Sequence, residues 1–440
     1  MSWLLVLSLI QANVYFASDT LIRKLKARID AATSSIDLCI YNCDSSDITD
    51  ALIQAKTARN VRVRVITDDA RLGRPWLNNL RSHGVRVWTD SVGPSSSNLM
   101  HNKFAVFDRR DADPANDWVW TGSFNVAAGS YNADNAIEVQ DSGLAHAYTQ
   151  EFEQMWGGSD SLPNAAQAEF HNGKTDRLSR HRFVVGADTF RVLFSPQDNP
   201  VDTLARLVAG AQSEVGFAIY AFTFRDLALS MKDRHQHSVW VGGTFDLSES
   251  TNTSSYFDSL RRWGVPIYSD KFMGAGNLLH EKIMVIDQRI AATGSVNWSN
   301  AGNNSNDENS LLCYSSAIAA RYRTEIARRY NEAGGQYPAG AVAESPAPGS
   351  PQLTLNIAPN PFASLQPPAT IRYSLPKAGK VSLRLYDVNG KLVSTFVGGH
   401  RPAGAHSHSL LPTRDSLAAG VYLLELEACG LRLDRKLIIE

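Results

Sequence analysis

The sequence predicts an α/β protein in which two duplicated units, each an α-β-α sandwich, form one pseudo-twofold body, followed by a small all-β sandwich. The first supporting observation is an internal repeat. SSIDLCIYNC (34–43) matches SEVGFAIYAF (213–222), and RSHGVRVWTD (81–90) matches RRWGVPIYSD (261–270) at a nearly constant offset. The second is a polar motif that occurs once in each repeat. The third is a change of composition near residue 333, where Pro, Gly, Ala and Ser become frequent.

Each repeat alternates between strand and helix patterns. An apolar strand precedes an amphipathic helix, TLIRKLKARIDAA (20–32) in the first repeat and DTLARLVAGAQ (202–212) in the second. Another strand and helix come before VRVRVITDD (61–69) and its counterpart VWVGGTFD (239–246). Strands that alternate with helices imply a mixed or parallel sheet covered by helices. The predicted boundaries are 13–157 for the first repeat, 158–189 for a connector and 190–332 for the second repeat.

The composition is that of a folded globular protein without a strong overall attraction for polyanions. Of the 440 residues, 43% are hydrophobic and 20% are charged, and the formal net charge is −1. The first 340 residues carry 33 basic and 37 acidic side chains, a balance poorly suited to nonspecific DNA binding. Short basic clusters, among them VRVRV (61–65) and RLGR (71–74), leave room for a basic rim.

The beginning of the chain and its cysteines bear on cellular location. Residues 1–12 contain the apolar run WLLVLSLI and are predicted to be a signal peptide whose true start lies upstream. The alternative is an apolar first strand. The four cysteines show no metal-ligand spacing, so buried thiols are expected. A disulfide such as Cys43 to Cys313 remains open if the protein is exported.

The C-terminal part has its own character. Residues 333–352 (AGGQYPAGAVAESPAPGSPQ) read as a linker, and residues 353–440 alternate apolar and polar side chains in short runs. Asn389-Gly390 lies between two such runs and is a strong hairpin signal. The pattern predicts a small antiparallel sandwich without a cluster of catalytic side chains.

The polar motif of the repeats is LMHNKFAVFD (99–108) in the first copy and LLHEKIMVID (278–287) in the second. In a strand, side chains two residues apart share a face, so a histidine and a lysine of each copy can approach one ligand. An aspartate stands at the end of each run. The candidate catalytic residues are therefore His101, Lys103, Asp108, His280, Lys282 and Asp287. For the two aspartates the alternative is that each anchors a neighbouring turn.

Two further short motifs follow each copy. GSFN (122–125) and GSVN (294–297) supply small polar residues after a strand, and ADNA (133–136) and DENS (307–310) supply an acid beside an asparagine. Each unit thus contributes half a site, and two facing units would surround one cleft. The candidate residues for substrate phosphate and support are Ser123, Asn125, Asp134, Ser295, Asn297 and Glu308.

These motifs together resemble those of the phospholipase D superfamily of phosphodiesterases, over nearly all of residues 13–332. The resemblance implies that one histidine attacks phosphorus and the other protonates the leaving alcohol before activating water. By similarity, His101 is the expected nucleophile and His280 the expected acid and base, although the reverse assignment remains open. The lysines and asparagines of the motifs would hold phosphoryl oxygens. Asp134 and Glu308 resemble family acids that orient a histidine of the opposite half.

The first copy departs from the family pattern at one point. RRDADPANDWVWT puts 13 residues between Asp108 and Gly122, where the second copy has six between Asp287 and Gly294. The insertion reads as a longer hairpin turn that alters the rim of the site and leaves the chemistry intact. The scheme implied by the resemblance needs no cofactor and no metal. The remaining histidines of the repeats and the connector have no partner pattern and are expected at the surface: His83, His146, His171, His181, His235 and His237.

The C-terminal sandwich resembles the type A sorting domain of the type IX secretion system of Bacteroidetes. Its cues are IAPNPF (357–362), VSLRLYDVNGKLV (381–393) and LAAGVYLLEL (417–426). The alternative is an adhesive or carbohydrate-binding sandwich. The resemblance implies export through the periplasm of a Gram-negative bacterium and a secreted or cell-surface enzyme. The type IX machinery would then be a partner.

The motifs do not determine which phosphodiester is the substrate. Hydrolysis of phospholipid head groups, with contact to a membrane surface, is the favoured function. Apolar side chains near the motifs could receive lipid chains, although residues in such positions are more often core. A nuclease that uses the same two histidines on DNA or RNA, and a phosphatidyl transferase, are the alternatives. We expect a monomer.

Overall fold

The computed structural model describes residues 12–16, 18–92, 97–127, 132–270, 277–338, 354–358, 369–375, 378–387, 392–410, 417–428 and 431–439. The chain divides into two compact units, Met1–Ala343 and Glu344–Glu440. The predicted signal peptide lies outside the described residues except for Ala12, which begins the first strand. No helix in the described part of the chain is long and apolar enough to cross a membrane.

The first half of the larger unit is one mixed sheet with its helices. Asp141 accepts a hydrogen bond from the backbone N–H of Leu144 at 2.7 Å and so begins the last helix, which ends at Gly157 in the left-handed conformation that glycine tolerates. The elements in chain order are β1 (Ala12–Phe16), α1 (Ser18–Ala31), β2 (Ser35–Ile40), α2 (Ser46–Thr57), β3 (Arg62–Thr67), α3 (Pro75–Ser82), β4 (Arg86–Thr89), β5 (Lys103–Phe107), β6 (Trp118–Gly122), β7 (Asn135–Gln140) and α4 (Ser142–Trp156).

The second half repeats this plan with one additional strand at its start and two additional short helices. Ser315 caps the last helix by accepting a hydrogen bond from the backbone N–H of Ile318 at 3.2 Å. The elements are β8 (Arg182–Val185), β9 (Asp188–Ser195), α5 (Pro200–Ala209), β10 (Glu214–Ile219), α6 (Arg225–Gln236), β11 (Trp240–Phe245), α7 (Leu247–Ser250), α8 (Phe257–Arg262), β12 (Ile267–Ser269), β13 (Lys282–Ile286), β14 (Ile290–Gly294), α9 (Asn300–Asn304), β15 (Glu308–Tyr314) and α10 (Ser316–Glu332).

The two sheets have the same strand order, which confirms the duplicated α/β fold. The first sheet runs β1-β7-β6-β5-β2-β3-β4, and the second contains the equivalent order β9-β15-β14-β13-β10-β11-β12, with β8 added beside β9. Strands β2, β3 and β4 are parallel, as are β10, β11 and β12, whereas the neighbours on the other side are antiparallel. Each sheet is therefore mixed, and β5 and β13, which follow the two histidines, lie near its centre.

The two halves share one hydrophobic core. It contains side chains of α4, such as Tyr148 and Phe152, together with side chains of α10, such as Tyr322 and Ile326. Separate clusters lie between each sheet and the helices on its other face. Because the shared core joins α4 to α10, the two repeats form one body and not two independent domains.

Two reciprocal hydrogen bonds also join the halves. Thr293 on β14 donates to the side-chain oxygen of Asn135 at the start of β7, at 2.6 Å. Thr121 on β6 donates to the side-chain oxygen of Asn309 on β15. All four residues are buried. The same pair of residue types crosses the boundary in both directions, as a pseudo-twofold axis requires.

The longer hairpin of the first copy is present. Strands β5 and β6 pair in antiparallel fashion, and the residues between them form a turn in which Asn116 donates to Asp111 at 3.0 Å. The buried thiols of Cys39, Cys43 and Cys313 are free, so a disulfide between Cys43 and Cys313 is not formed. These three residues are instead the buried thiols that were expected from the sequence.

The C-terminal unit is a small all-β sandwich, as predicted. Its strands are β16 (Thr354–Ala358), β17 (Ala369–Leu375), β18 (Gly379–Asp387), β19 (Leu392–Arg401), β20 (Gly404–Leu410), β21 (Gly420–Ala428) and β22 (Leu431–Ile439). Its two antiparallel sheets, β16-β17-β20 and β19-β18-β21-β22, enclose a core that includes Leu383, Leu385 and Leu424. The predicted hairpin is present as the pair β18 and β19, although Asn389-Gly390 itself lies outside the described residues.

The first residues of the predicted linker belong to the larger unit. Tyr337 is buried, and its hydroxyl donates to Glu214 at 2.7 Å. Its ring packs against Trp240 with 4.5 Å between the ring centroids. Residues 339–352 of the linker lie outside the described residues.

Candidate active site

The two histidines stand at equivalent places, just before the strands β5 and β13. His101 and His280 are 7% and 6% exposed, so each is nearly enclosed but still reaches solvent. The ammonium group of Lys103 donates to the carbonyl of His101 at 2.8 Å, and Lys282 does the same to His280 at 2.6 Å. Each motif thus holds its lysine against its own histidine.

Each histidine is oriented by a carboxylate of the opposite half. Nδ1 of His101 lies 2.9 Å from both carboxylate oxygens of Glu308, and Nδ1 of His280 lies 2.8 Å from Asp134. Because an ionised carboxylate only accepts hydrogen bonds, Nδ1 of each ring must carry the proton. In the neutral imidazole this leaves Nε2 with a free lone pair. The structure therefore holds each ring in the tautomer that a nucleophile or a general base requires.

Backbone pairing brings the acids to the histidines. The backbone N–H of His101 donates to the carbonyl of Asp307 at 2.9 Å, and that of His280 donates to Ala133 at 2.9 Å. Asp307 and Ala133 immediately precede the two orienting acids in the chain. The backbones therefore cross from one half to the other beside both histidines, and neither half could build its side of the site alone.

The site concentrates positive charge in a buried place. Burial lowers the pKa of Lys282 to about 7, and the neighbouring Lys103 adds to the decrease. Burial also lowers the pKa of Lys103 to about 8. Desolvation is the main cause in both, because a buried ammonium group loses its hydration. An anion placed between the two lysines would replace that hydration, so the site is suited to a phosphate group.

Both histidines favour the neutral form in the free site. Burial lowers the pKa of His101 to about 4; Glu308 opposes the change, whereas Lys103 and Lys282 reinforce it. Burial likewise lowers the pKa of His280, and Lys282 adds to the effect. The effect of Lys282 on His101 crosses from one half to the other, which again indicates a single site.

A tyrosine lies beside each histidine, and neither tyrosine was among the site residues predicted from the sequence. The ring centroids of Tyr41 and His101 are 5.1 Å apart, and those of Tyr220 and His280 are 5.2 Å apart. The ammonium group of Lys282 lies 4.9 Å from the Tyr220 ring centroid. The signal was visible in the sequence, because both tyrosines occupy the same position of the matching segments 34–43 and 213–222.

The predicted support residues divide into two kinds. Ser123 and Ser295 are fully buried; Ser123 donates to Asp134 at 2.7 Å, and Ser295 accepts from the backbone of Asn309 at 3.1 Å. Each serine therefore supports the acid-asparagine segment of its own half, and we assign these two to support and not to phosphate binding. The pair Asn125 and Asn297 differs. The side-chain oxygen of each is buried without a hydrogen-bond partner in the described part of the chain.

The catalytic role predicted for Asp108 and Asp287 is wrong, because both aspartates are structural anchors. Each follows the far end of its strand, roughly 16 Å along β5 or β13 from the lysine that begins it. Asp108 accepts hydrogen bonds from the backbone N–H groups of residues 33, 34 and 35, and Asp287 does so from residues 212, 213 and 214. These bonds fix the start of β2 and β10. The carboxylates do not contact the histidines.

The prediction that His171 lies at the surface is also wrong. It is 2% exposed, and its ring nitrogens lie 3.2 Å from Asp90 and 3.0 Å from Asp307. Burial alone would lower its pKa, but the adjacent carboxylates of Asp307 and Asp90 raise the pKa to about 9. His171 is therefore an imidazolium at neutral pH. His171 thus links the connector segment to Asp307, the residue whose backbone carbonyl accepts a hydrogen bond from the backbone N–H of His101.

Most apolar side chains near the motifs belong to the core. Met100, Phe124, Leu279 and Trp298 are nearly or fully buried and have no surface to offer a lipid chain. Leu99 and Leu278, by contrast, are half-buried just before the two motifs.

Among the residues that the structure describes, two groups of side chains have donor atoms close enough together to hold a metal ion. They are Asp68, Asp69 and Asp90, and Asp176, His181 and Asp198. Neither group includes a residue of the two motifs. In the first group Asp68 and Asp90 both accept the backbone N–H of Met100, at 3.0 and 3.2 Å. Those oxygens therefore already position the residue before His101.

Comparison with known proteins places this site in a family. The family described as "Cardiolipin synthase, PLD-like domain" matches residues 25–156 and 204–330, with PLD denoting phospholipase D. Mitochondrial cardiolipin hydrolase of Xenopus laevis is 36% identical over 143 residues, which cover 32% of this chain and 62% of that protein. Phospholipase D of Rickettsia bellii is 35% identical over 127 residues, covering 28% and 57%. The chain spans less than two thirds of the length of these relatives.

Among solved structures, phosphatidylserine synthase of Haemophilus influenzae superposes with a TM-score of 0.57 at 14% identity, covering 75% of this chain and 91% of that one. At this identity the likeness concerns the fold alone. The family match, in contrast, covers more than half of the chain and includes both motifs. The chain therefore belongs to the PLD-like family.

Proposed function

We propose that the protein hydrolyses the head-group phosphodiester of phospholipids through a phosphohistidine intermediate. The observation that carries this proposal is the pair of buried histidines, each oriented by a carboxylate of the other half and accompanied by a lysine. Two oriented imidazoles around one anion site supply a nucleophile and an acid. The half-buried Leu99 and Leu278 supply apolar surface beside the motifs for a lipid.

In the first step, Nε2 of His101 attacks phosphorus while the bond from phosphorus to the head-group oxygen breaks. The leaving oxygen takes a proton from Nε2 of His280, which must therefore be protonated when substrate is bound. The phosphate offsets the positive charge of Lys103 and Lys282, whose fields otherwise hold the pKa of His280 down. The lysines also stabilise the charge on the phosphoryl oxygens in the transition state.

In the second step, His280 is neutral and accepts a proton from a water molecule that attacks phosphorus. The bond between phosphorus and Nε2 of His101 breaks, and phosphatidic acid leaves. An alcohol in place of water would give phosphatidyl transfer by the same step. The carboxylates of Glu308 and Asp134 keep each ring in place through both steps.

The test is incubation of the purified protein with vesicles of phosphatidylcholine, phosphatidylethanolamine, phosphatidylglycerol or cardiolipin, and with single- or double-stranded DNA. We expect phosphatidic acid and free head group from at least one lipid, and no product from the variant His101→Asn. Cleavage of DNA with no lipid product would overturn the lipid assignment and establish the nuclease alternative.

We further propose that the enzyme is secreted or displayed at the cell surface of a Gram-negative bacterium. The proposal rests on the resemblance of the C-terminal sandwich to a type IX sorting domain. Cell fractionation of a native host that expresses the chain with and without residues 344–440 tests it. Retention of the shortened chain in the periplasm is expected, and its normal export would contradict the proposal.

A further inference from the structure

The connector between the two repeats reaches the His101 side of the site. His171 begins a short helical turn of the connector, and its ring is buried between Asp90 of the first half and Asp307 of the second. The backbone N–H of His171 donates to the carboxylate of Asp307 at 2.8 Å. Lys174, just after the turn, places its ammonium group 2.9 Å from the same carboxylate. The connector thus surrounds the carboxylate of Asp307 with two cations and a backbone donor.

Asp90 and Asp307 hold the segment that ends at His101. The backbone of Asp307 pairs with this segment twice: its carbonyl accepts from the N–H of His101, and its N–H donates to the carbonyl of Leu99, both at 2.9 Å. The carboxylate of Asp90 accepts from the N–H of Met100, which lies between them, at 3.2 Å. Because the ring at position 171 lies between the two aspartates, it joins the contacts that position the backbone of His101.

The connector is itself held firmly at this place. Phe170, next in the chain to the histidine, is fully buried in the core that the two halves share. The backbone N–H of Thr175 donates to the side-chain oxygen of Gln154 on α4 at 3.1 Å. Lys174 donates to the carbonyl of Ser195, at the end of β9, at 2.8 Å. A group that is fixed to both halves in this way can hold a partner more precisely than a group on a free loop.

The His280 side differs, because it lacks the carboxylate that the connector binds. In the corresponding motifs ADNA and DENS, Ala133 stands where Asp307 stands. The backbone of Ala133 makes the same two pairings, accepting from His280 at 2.9 Å and donating to Leu278 at 2.8 Å. Its methyl group, however, cannot bind a cation. The connector occurs once in the chain, and its cations therefore distinguish the His101 side from the His280 side.

We propose that His171 is a positioning residue for His101, and that the connector thereby gives the two histidines of the site different freedom. Through Asp307 and Asp90, His171 fixes the backbone of His101 and with it the direction in which Nε2 faces phosphorus. A nucleophile must keep its place from attack until the phosphoryl group is released, whereas an acid only has to pass a proton. The inference does not depend on which phosphodiester is cleaved.

The first test is nuclear magnetic resonance of the full chain with ¹⁵N-labelled histidine, which needs no substrate. The Nδ1–H signals of His101 and His280 are assigned by their shifts in Glu308→Gln and Asp134→Asn. In the unchanged protein, we expect the Nδ1 proton of His101 to exchange with water about tenfold more slowly than that of His280, because the additional contacts oppose local opening. Equal rates, or slower exchange at His280, would refute the proposal.

The second test uses variants of the connector and its partner. His171→Gln should shift and broaden the Nδ1–H signal of His101 and leave that of His280 in place. Asp307→Asn should do the same, and it takes over the test if His171→Gln does not fold. The control, Arg177→Gln, removes a charge from an exposed residue of the same connector and should change neither signal. Two unchanged signals in a folded variant would exclude the positioning role, as would equal shifts of both, which a general loosening of the fold produces.

The third test follows the covalent step. On a diester that the enzyme cleaves, His171→Gln should lower kcat about 10- to 100-fold without a comparable change in KM, since a displaced His101 still allows binding but attacks poorly. Rapid quenching should show that formation of phosphohistidine is slowed more than its breakdown. A folded variant with the kcat of the unchanged protein would contradict the proposal, as would a loss confined to breakdown. If no diester is cleaved, the proposed function fails, and the resonance measurements still decide this inference.

Discussion

Replacing Glu308 by Gln tests whether the acid of one half controls the histidine of the other. The carboxylate is fully buried, and both of its oxygens lie 2.9 Å from Nδ1 of His101. The substitution keeps the size of the side chain and removes its charge. We expect a fall in kcat without a comparable change in KM, because Glu308 touches His101 and not the substrate.

The size of the loss follows from two effects. A hydrogen bond to a charged partner contributes about 1.5–3 kcal/mol, which corresponds to a factor of about 10 to 150 in rate. An amide can also turn its NH₂ group toward Nδ1, which moves the ring proton of His101 to Nε2 and removes the nucleophilic lone pair. An equivalent loss of tautomer in a serine protease lowers kcat about 10⁴-fold. We therefore expect a decrease of between about 10 and 10⁴.

The assay is rapid quenching with a phosphatidyl diester that has a good leaving group, followed by mass spectrometry of acid-labile phosphate. Asp134→Asn is the matched control, since it removes the same charge from the His280 side. If His101 is the nucleophile, Asp134→Asn should accumulate phosphohistidine because water activation is slowed. Glu308→Gln should show little adduct because its formation is slowed.

Thermal unfolding of both variants separates these effects from loss of fold. A folded Glu308→Gln protein with the kcat of the unchanged enzyme would refute the reasoning. Adduct that accumulates in Glu308→Gln and not in Asp134→Asn would reverse the roles of the two histidines.

Three further results are expected. First, kcat/KM should fall as the pH rises above about 7 to 8, because Lys282 with a pKa of about 7 loses its charge there. Lys282→Arg should move this decrease in kcat/KM to higher pH. An unchanged pH profile in Lys282→Arg would exclude Lys282 as the cause of the decrease. Second, His171→Asn should unfold at a lower denaturant concentration than the unchanged protein. Since the folded-state pKa of His171 is raised to about 9, its stabilising effect is complete below the ordinary pKa of 6.5 and is lost as the pH rises through 9. The difference in stability between the two proteins should therefore shrink over that pH range, and a constant difference would contradict the ion pairing of His171. Third, a chain that ends at residue 343 should keep the kcat and KM of the full chain on the same diester, because all motif residues lie in the first unit; a large loss in a folded protein would contradict this.

The motifs could be predicted from the sequence because their geometry is local. In a strand, a histidine and a lysine two residues apart share a face whatever the rest of the chain does, so the pairing of His101 with Lys103 needed no tertiary information. The repeat added the second pair and predicted that the two halves share one fold, since duplicated sequence patterns fold into duplicated sheets. The repeat also shows that the tyrosines at positions 41 and 220 are equivalent, although only their contacts with the histidines reveal a role.

The two aspartates show where local patterns stop. Asp108 follows its strand in the sequence as a catalytic acid or a turn anchor would, and the difference lies in what its oxygens meet. They meet backbone N–H groups of residues 33 to 35, more than seventy positions earlier. No spacing within the motif contains that information.

His171 is a stronger case, because neither of its partners is near it in the chain and the second repeat has no counterpart. The sequence by itself determined the duplicated α/β body, the two histidine-lysine pairs and the small C-terminal sandwich, all of which follow from periodicity and repetition. Only the tertiary structure decided which carboxylates face His171 and the backbone of β2, whereas the family resemblance had already implied that Glu308 and Asp134 each orient a histidine of the opposite half. The reason is physical: a buried charge is tolerated only when its partners are brought to it, and those partners arrive through long-range packing.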